Sequence, residues 1–139
     1  MAAFNKFNTT VDALWGGTHV IGTSVYKLML TNSPPAATNT ILSQITEITP
    51  ASGYAAGGPT VTLTKANSTG TETISASANA VVTAAATIGP FRYAVLYNSS
   101  APTISGCLVG WWDYGSAVTL NSGDTFTWAP TGLAVCTTI

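Results

Sequence analysis

Residues 60–77 read TVTLTKANSTGTETISAS. This stretch predicts two strands, at Val61-Thr62-Leu63-Thr64 and from Thr71 to Ser77, joined by a turn at Asn67-Ser68-Thr69-Gly70. The same texture runs on to the end of the chain. Asn79 to Thr83 is a further strand, and Gly89-Pro90 is a break before Phe91 to Tyr97. Leu108 to Tyr114 and Val118 to Leu120 follow. Asn121-Ser122-Gly123-Asp124 is a turn before Thr125-Phe126-Thr127-Trp128, and Leu133 to Thr137 closes the series. Short strands separated by turn residues at regular spacing argue an all-β fold, a sandwich or barrel-like domain of jelly-roll type. The abundant Thr suits the solvent side of such sheets, where β-branching fits the pleat and the hydroxyl keeps its water.

Upstream the period changes. Phe4, Phe7, Val11, Leu14 and Trp15 recur at helical spacing, and Gly16-Gly17 follows at once. This predicts a short amphipathic helix within residues 1–17, ended by a glycine in the left-handed region. Its five apolar residues form a stripe to be buried against this subunit's sheet or a neighbour's. Asn5, Lys6, Asn8, Thr9 and Asp12 lie on the opposite face. Residues 18–139 then read as mainly β, and 1–139 as a single domain without repeat or linker. His19 to Leu30 reads as an extended segment with a bulge at its Gly, and Thr31 to Pro35 as a break. Ile41, Leu42, Ile45 and Ile48 show helical spacing, with Asn39 or Thr40 as N-cap and Pro50 as stop; Ile45 to Ile48 also reads as a strand. Gly53 to Pro59 is a loop with no Lys after its glycines, so it is no phosphate loop.

Only nine of the 139 residues carry a formal charge: Lys6, Lys27, Lys65, Arg92, Asp12, Glu47, Glu72, Asp113 and Asp124. That is about a quarter of the usual share of roughly 25%. Four scattered cations exclude the basic cluster that nucleic-acid binding needs. One His and five carboxylates leave few groups for proton transfer or metal binding. A net charge of −1 gives the copies little mutual repulsion, which suits a protein that works in an assembly. The start lacks a basic region followed by an unbroken apolar run, so synthesis and folding in a cytoplasm are expected. The apolar stretch Thr73 to Phe91 is interrupted by Ser75, Ser77, Asn79, Thr83, Gly89 and Pro90, so no membrane span is expected. Cys107 and Cys136 sit in no CxxC pattern with no His nearby, which disfavours zinc. They read as two unpaired buried thiols, the alternative being a disulfide between the last strand and the GWW strand. The sequons at Asn8, Asn67 and Asn98 are expected by chance in a chain so rich in Thr and Ser.

Two arrangements could carry chemistry. His19 with Asp12 and a serine would make a triad, but no GxSxG elbow is present, and a hydrogen-bonded structural imidazole is the expectation. Asp113 and Asp124 could form a glycosidase pair, although nothing in the sequence pairs them. Asp124 reads as a turn residue, and Asp113 as an acceptor for backbone or for Arg92, which needs a carboxylate partner in a sheet interior. No catalytic, metal or cofactor residue is therefore expected. In Trp111-Trp112-Asp113-Tyr114, Trp111 and Asp113 face one side of a strand, and Trp112 and Tyr114 the other. One tryptophan fills the core; the other set lies under the N-terminal helix or at a surface, where Trp111, Trp112 or Tyr114 could stack on a sugar. Alternation likewise puts Phe91, Tyr93, Val95 and Tyr97 on one face, and Arg92, Ala94 and Leu96 on the other.

Several segments carry a resemblance: FNKF (4–7), KLMLTN (27–32), ATNTILSQITEI (37–48), GYAAGG (53–58), IGPFRYAVLYN (88–98), GWWDYGSAVTL (110–120) and GDTFT (123–127). In this order, across nearly the whole chain, they resemble a family of small tailed-bacteriophage virion structural proteins. The resemblance implies a head decoration, or cement, protein on the outer capsid surface. It would be a homo-oligomer, a trimer, whose partner is the major capsid protein, with no enzyme activity and no catalytic residue to carry over. The alternatives from the same reading are a tail tube or tail-tip protein and a carbohydrate-binding attachment module.

Overall fold

The computed structural model describes residues 3–102, 104–130 and 133–136. In chain order the elements are β1 (Phe4–Lys6), α1 (Thr10–Trp15), β2 (Tyr26–Thr31), a 3₁₀ turn (Leu42–Gln44), β3 (Thr60–Val61), β4 (Leu63–Ser68), β5 (Thr71–Ala76), β6 (Ala80–Thr83), β7 (Ile88–Asn98), β8 (Cys107–Leu120), β9 (Thr125–Trp128) and β10 (Leu133–Cys136). The strands form a five-stranded sheet in the order β1-β8-β7-β2-β3, a three-stranded sheet β10-β5-β4 and a ladder β6-β9. Every pairing is antiparallel. The fold is all-β and sandwich-like, with one short helix.

The main core lies between the large sheet and the two small ones. Leu28, Leu30, Ala94, Leu96 and Trp112 come from the large sheet and meet Leu63, Ile74, Val82 and Trp128 from the others. Trp112 and Trp128 are fully buried and pack edge to face, their ring centroids 4.9 Å apart, a favoured arrangement of two ring quadrupoles. The opposite face of the large sheet has its own apolar cluster of Phe7, Met29, Val95, Tyr97 and Leu108. It is roofed by the segment around the 3₁₀ turn, which contributes Ile45 and Leu42.

The N-terminal helix is shorter than its spacing predicts. Phe4 lies on β1, whose residues Phe4, Asn5 and Lys6 pair with Trp112, Trp111 and Gly110 of β8. Along extended chain, residues three apart point to opposite faces. Phe4 therefore meets Trp112, at 5.2 Å between centroids, while Phe7 meets Trp111 on the other side, at 4.6 Å. The two tryptophans lie on opposite faces, as alternation requires, and each has its own phenylalanine. Gly110 makes this possible, because a Cβ there would collide with the Phe4 ring and stand 2.7 Å from the Asn5 carbonyl. The predicted stripe is thus divided. Phe7 is fully buried, Phe4, Val11 and Leu14 are half-buried, and Trp15 is 70% exposed. The helix seats Thr10 and Ala13 instead, with the Thr10 hydroxyl donating to the Val109 carbonyl at 2.6 Å. Its end is as expected, with Gly17 at φ 75°.

Other boundaries also move. Residues 19–25 form turns, and the strand begins only at Tyr26. The expected helix at 41–48 is a single 3₁₀ turn, because Ile45 and Ile48 serve different clusters, one on each side of the large sheet. The Gln44 side-chain oxygen holds that turn by accepting from the backbone N–H of Thr40 and Ile41. Gly89-Pro90 is not a break but lies inside β7, where the register shifts between Ile88 and Phe91 and again between Phe91 and Tyr93. The irregularity turns Phe91 to the main core beside Ala94 and Leu96, away from the face of Tyr93 and Val95 that simple alternation assigns it. Likewise β8 is one strand of 14 residues where two were expected.

The divided stripe makes a measurable contrast. Phe7→Ala should cost about 3–5 kcal/mol in urea unfolding, the loss of a buried aromatic ring plus its cavity. Trp15→Ala should stay within about 0.5 kcal/mol, as for an exposed side chain. Equal losses at both positions would contradict the observed division.

Candidate functional site

The sole histidine is buried, and the loops around 18–19 and 98–107 wire it into a network that sequence reasoning did not foresee. The Asn98 side chain is fixed at both ends. Its carbonyl oxygen accepts from the Ser100 backbone N–H at 3.0 Å, and its amide nitrogen donates to the Thr18 carbonyl at 2.9 Å. That same amide nitrogen lies 3.4 Å from His19 Nδ1. Nδ1 must therefore be the acceptor, and the ring proton sits on Nε2, directed to the Leu108 carbonyl at 3.3 Å. The Cys107 Sγ is 3.7 Å from Nε2. Cysteine, histidine and asparagine thus stand together in the residue types of a thiol nucleophile site, but with the wiring reversed. A protonated Nε2 cannot take the thiol proton, and burial pushes the Cys107 thiol up. The apolar space beside His19, lined by Leu14, Ile21, Tyr26 and Ile74, has no room for a water molecule. This network ties the 18–19 turn to the β7–β8 end. It also gives Asn98, one of the sequon asparagines, a buried structural role.

Asp12 is exposed and takes no part in that network. The two other carboxylates singled out are engaged separately. Asp113 receives Arg92 through two hydrogen bonds, Nε to Oδ1 at 2.7 Å and Nη2 to Oδ2 at 2.9 Å, and the Gly115 backbone N–H at 2.8 Å. Arg92 holds its carboxyl below the usual carboxylate range, helped by Gly115. Asp124 accepts from the Asn121 backbone N–H at 2.8 Å, the expected turn role. Glu47 was not singled out by sequence; its Oε1 accepts from the Tyr54 hydroxyl and the Gly57 backbone N–H, both at 2.7 Å, and pins the glycine-rich loop. An open groove of about 510 Å³ beside it is lined by Met29, Leu42, Ile45 and Tyr97. Among the described residues no group of three or more His, Cys, Asp or Glu could hold a metal ion, and no helix is long and apolar enough to cross a membrane.

The aromatic anchors are distributed as core and surface. Trp112 is in the main core, Trp111 packs half-buried on Phe7, and Tyr114 meets Phe126 edge to face at 5.3 Å. The three therefore do not form one stacking platform. Trp15 is different: it stands free on the surface, and Val20 and Val25 follow it in the next turns, each 43% exposed. Cys136 forms part of β10, and its thiol lies outside the described residues, whereas Cys107 is a free thiol. Compared with known protein families, with curated proteins and with solved structures, the chain gives no match.

Burial lowers the His19 pKa from its ordinary 6.5, against a smaller opposing effect of the Leu108 carbonyl. The unfolded chain then binds the proton more readily than the folded one, so acid favours unfolding. Stability should be level above pH about 6.5 and fall as the pH drops below it. Urea unfolding from pH 7.5 to 5 should show this loss in the native chain and a smaller one in His19→Gln. A flat native profile would contradict burial of the neutral ring.

Proposed function

We propose that the chain is a virion structural protein of a tailed bacteriophage: a decoration, or cement, protein that binds the outer surface of the head as a homotrimer. Its copies bridge neighbouring subunits of the major capsid protein. Binding only the assembled shell stabilises that shell by mass action, by about 2.7 kcal/mol at a free concentration a hundredfold above Kd. The resemblance of segments 4–7, 27–32, 37–48, 53–58, 88–98, 110–120 and 123–127 to such proteins supports this reading.

The structural observation that carries it is the 15–25 segment. Trp15, Val20 and Val25 are three large apolar side chains left in water on one short stretch. Tryptophan is among the side chains enriched at the energetic hot spots of protein interfaces. With so few charges available, the contact with the shell is apolar and hydrogen-bonded.

Purified protein added to heads that lack it should stay bound on moving to about 1 M NaCl, where the Debye length is about 3 Å. Trp15→Ala should reduce occupancy while leaving the fold intact. Complete release at high salt, or unchanged occupancy of the variant, would contradict the reading.

A further inference from the structure

We infer that the free edge of β4 is a pairing surface for a second copy of this chain, joined antiparallel across a twofold axis centred on Ala66. In the β10-β5-β4 sheet, β4 has a neighbour on one side only among the described residues. The Ser77 backbone N–H donates to the Thr62 carbonyl at 2.9 Å, so Thr62 and Ser77 are a hydrogen-bonded pair of this ribbon. Alternation along the uninterrupted register then makes Thr64–Ser75, Ala66–Thr73 and Ser68–Thr71 hydrogen-bonded pairs as well. The turn agrees: Thr69 and Gly70 both have positive φ, 48° and 81°, as a two-residue type I′ turn requires. It follows that the backbone N–H and C=O groups of Lys65 and Asn67 point outward, away from β5.

Natural edge strands are guarded by proline, bulges, covering elements or charge. β4 has no proline and no register shift, and from Thr64 to Ser68 it is wholly exposed. Its outer face carries Thr64, Ala66, Ser68, Thr71, Thr73 and Ser75, none larger than threonine, so no large side chain overhangs the edge on that face. The one guard is Lys65, and it decides the register. Centring on Lys65 would set two ammonium groups opposite each other. Moving the centre to Thr64 would run the second copy into β2, which already pairs with Thr60 and Val61. Centring on Ala66 places Lys65 opposite Asn67 of the second copy, twice, each pair exchanging two backbone hydrogen bonds.

The side chains fit the same register. Lys65 is opposite Ile74 within its own hairpin and makes no ion pair among the described residues. The Asn67 amide nitrogen donates to Glu72 Oε2 at 3.2 Å, which leaves its carbonyl oxygen available. Across the axis each Lys65 ammonium meets that oxygen, with the Glu72 carboxylate beyond it. The cation of one hairpin thus meets the Asn67–Glu72 pair of the other, and a second copy is the partner that matches at both ends. This inference concerns free chains in solution, a twofold contact distinct from the threefold one of the decoration reading, and is tested without capsids.

At the axis Ala66 faces its own copy as a non-hydrogen-bonded pair, with Cα atoms about 4.5 Å apart, inside the range that a disulfide spans. Purified Ala66→Cys under mild oxidation should give a covalent dimer on a non-reducing gel. Thr64→Cys, which would face Ser68, should give at least about tenfold less. In sedimentation equilibrium, Lys65→Glu should weaken the dimer of the native chain about tenfold or more, since it sets carboxylates together. Circular dichroism of that variant should remain native. An Ala66→Cys chain that stays monomeric, or a Thr64→Cys chain that crosslinks as well, would overturn the proposal. So would a Lys65→Glu variant that associates like the native chain.

Discussion

The central ribbon of this protein must be kept dry on both faces. β7 and β8 carry Ala94, Leu96, Val109 and Trp112 to one side and Val95, Tyr97, Leu108 and Trp111 to the other. A sheet that is apolar on one face needs one covering layer; this one needs two. The two small sheets supply the first. Phe7, Ile45 and Leu42 supply the second, on irregular chain that a regular element would not fit so closely. The register shifts in β7 and β8 belong to the same solution, since each changes which side chain enters which core.

The few polar groups are used where that arrangement leaves backbone or charge in need. Asn98 and His19 satisfy the Thr18 and Leu108 carbonyls at the end of the ribbon. An uncompensated buried carbonyl would cost about 1–3 kcal/mol. Arg92 and Asp113 form a forked pair at the border of the sheet, where both remain partly solvated, so the pair positions the strands more than it stabilises them. Glu47 replaces a backbone partner for the 53–59 loop.

Strands were legible because their signal is local. Thr and Val runs between Gly, Asn and Ser turns placed β5, β6 and β9 to within a residue, whereas the strand expected at 61–64 is interrupted at Thr62 and continues as β4 to Ser68, through two residues of the expected turn. Arg92 does pair with Asp113 as expected, although the pair lies partly solvated and not in the sheet interior that the expectation assumed. The N-terminal segment was misread because helical spacing at 4, 7, 11 and 14 is also what two phenylalanines on opposite faces of an extended chain produce. Which one holds depends on Gly110, more than a hundred residues away, and no window of sequence contains both. The side assigned to Phe91 failed for a related reason, as alternation cannot register a bulge. Of the candidate site, the sequence showed Trp15 only as part of a stripe to be buried on this subunit's sheet or a neighbour's, since hydrophobicity alone does not say which end of a stripe runs into water. The His19–Asn98 network joins residues nearly eighty positions apart and leaves no local pattern.

The central claim is that the doubly covered β7–β8 ribbon is the last part of the fold to open. Residue-resolved hydrogen exchange tests it most directly, because amides that open only in global unfolding report the full unfolding free energy. The amides of Val95, Leu96, Leu108 and Trp112 should exchange slowest, together, and at a common free energy equal to that from urea unfolding. The β6–β9 ladder, covered on one side by the same core, should exchange faster. Ribbon amides that exchange as fast as those of Val81 and Phe126 would contradict the account.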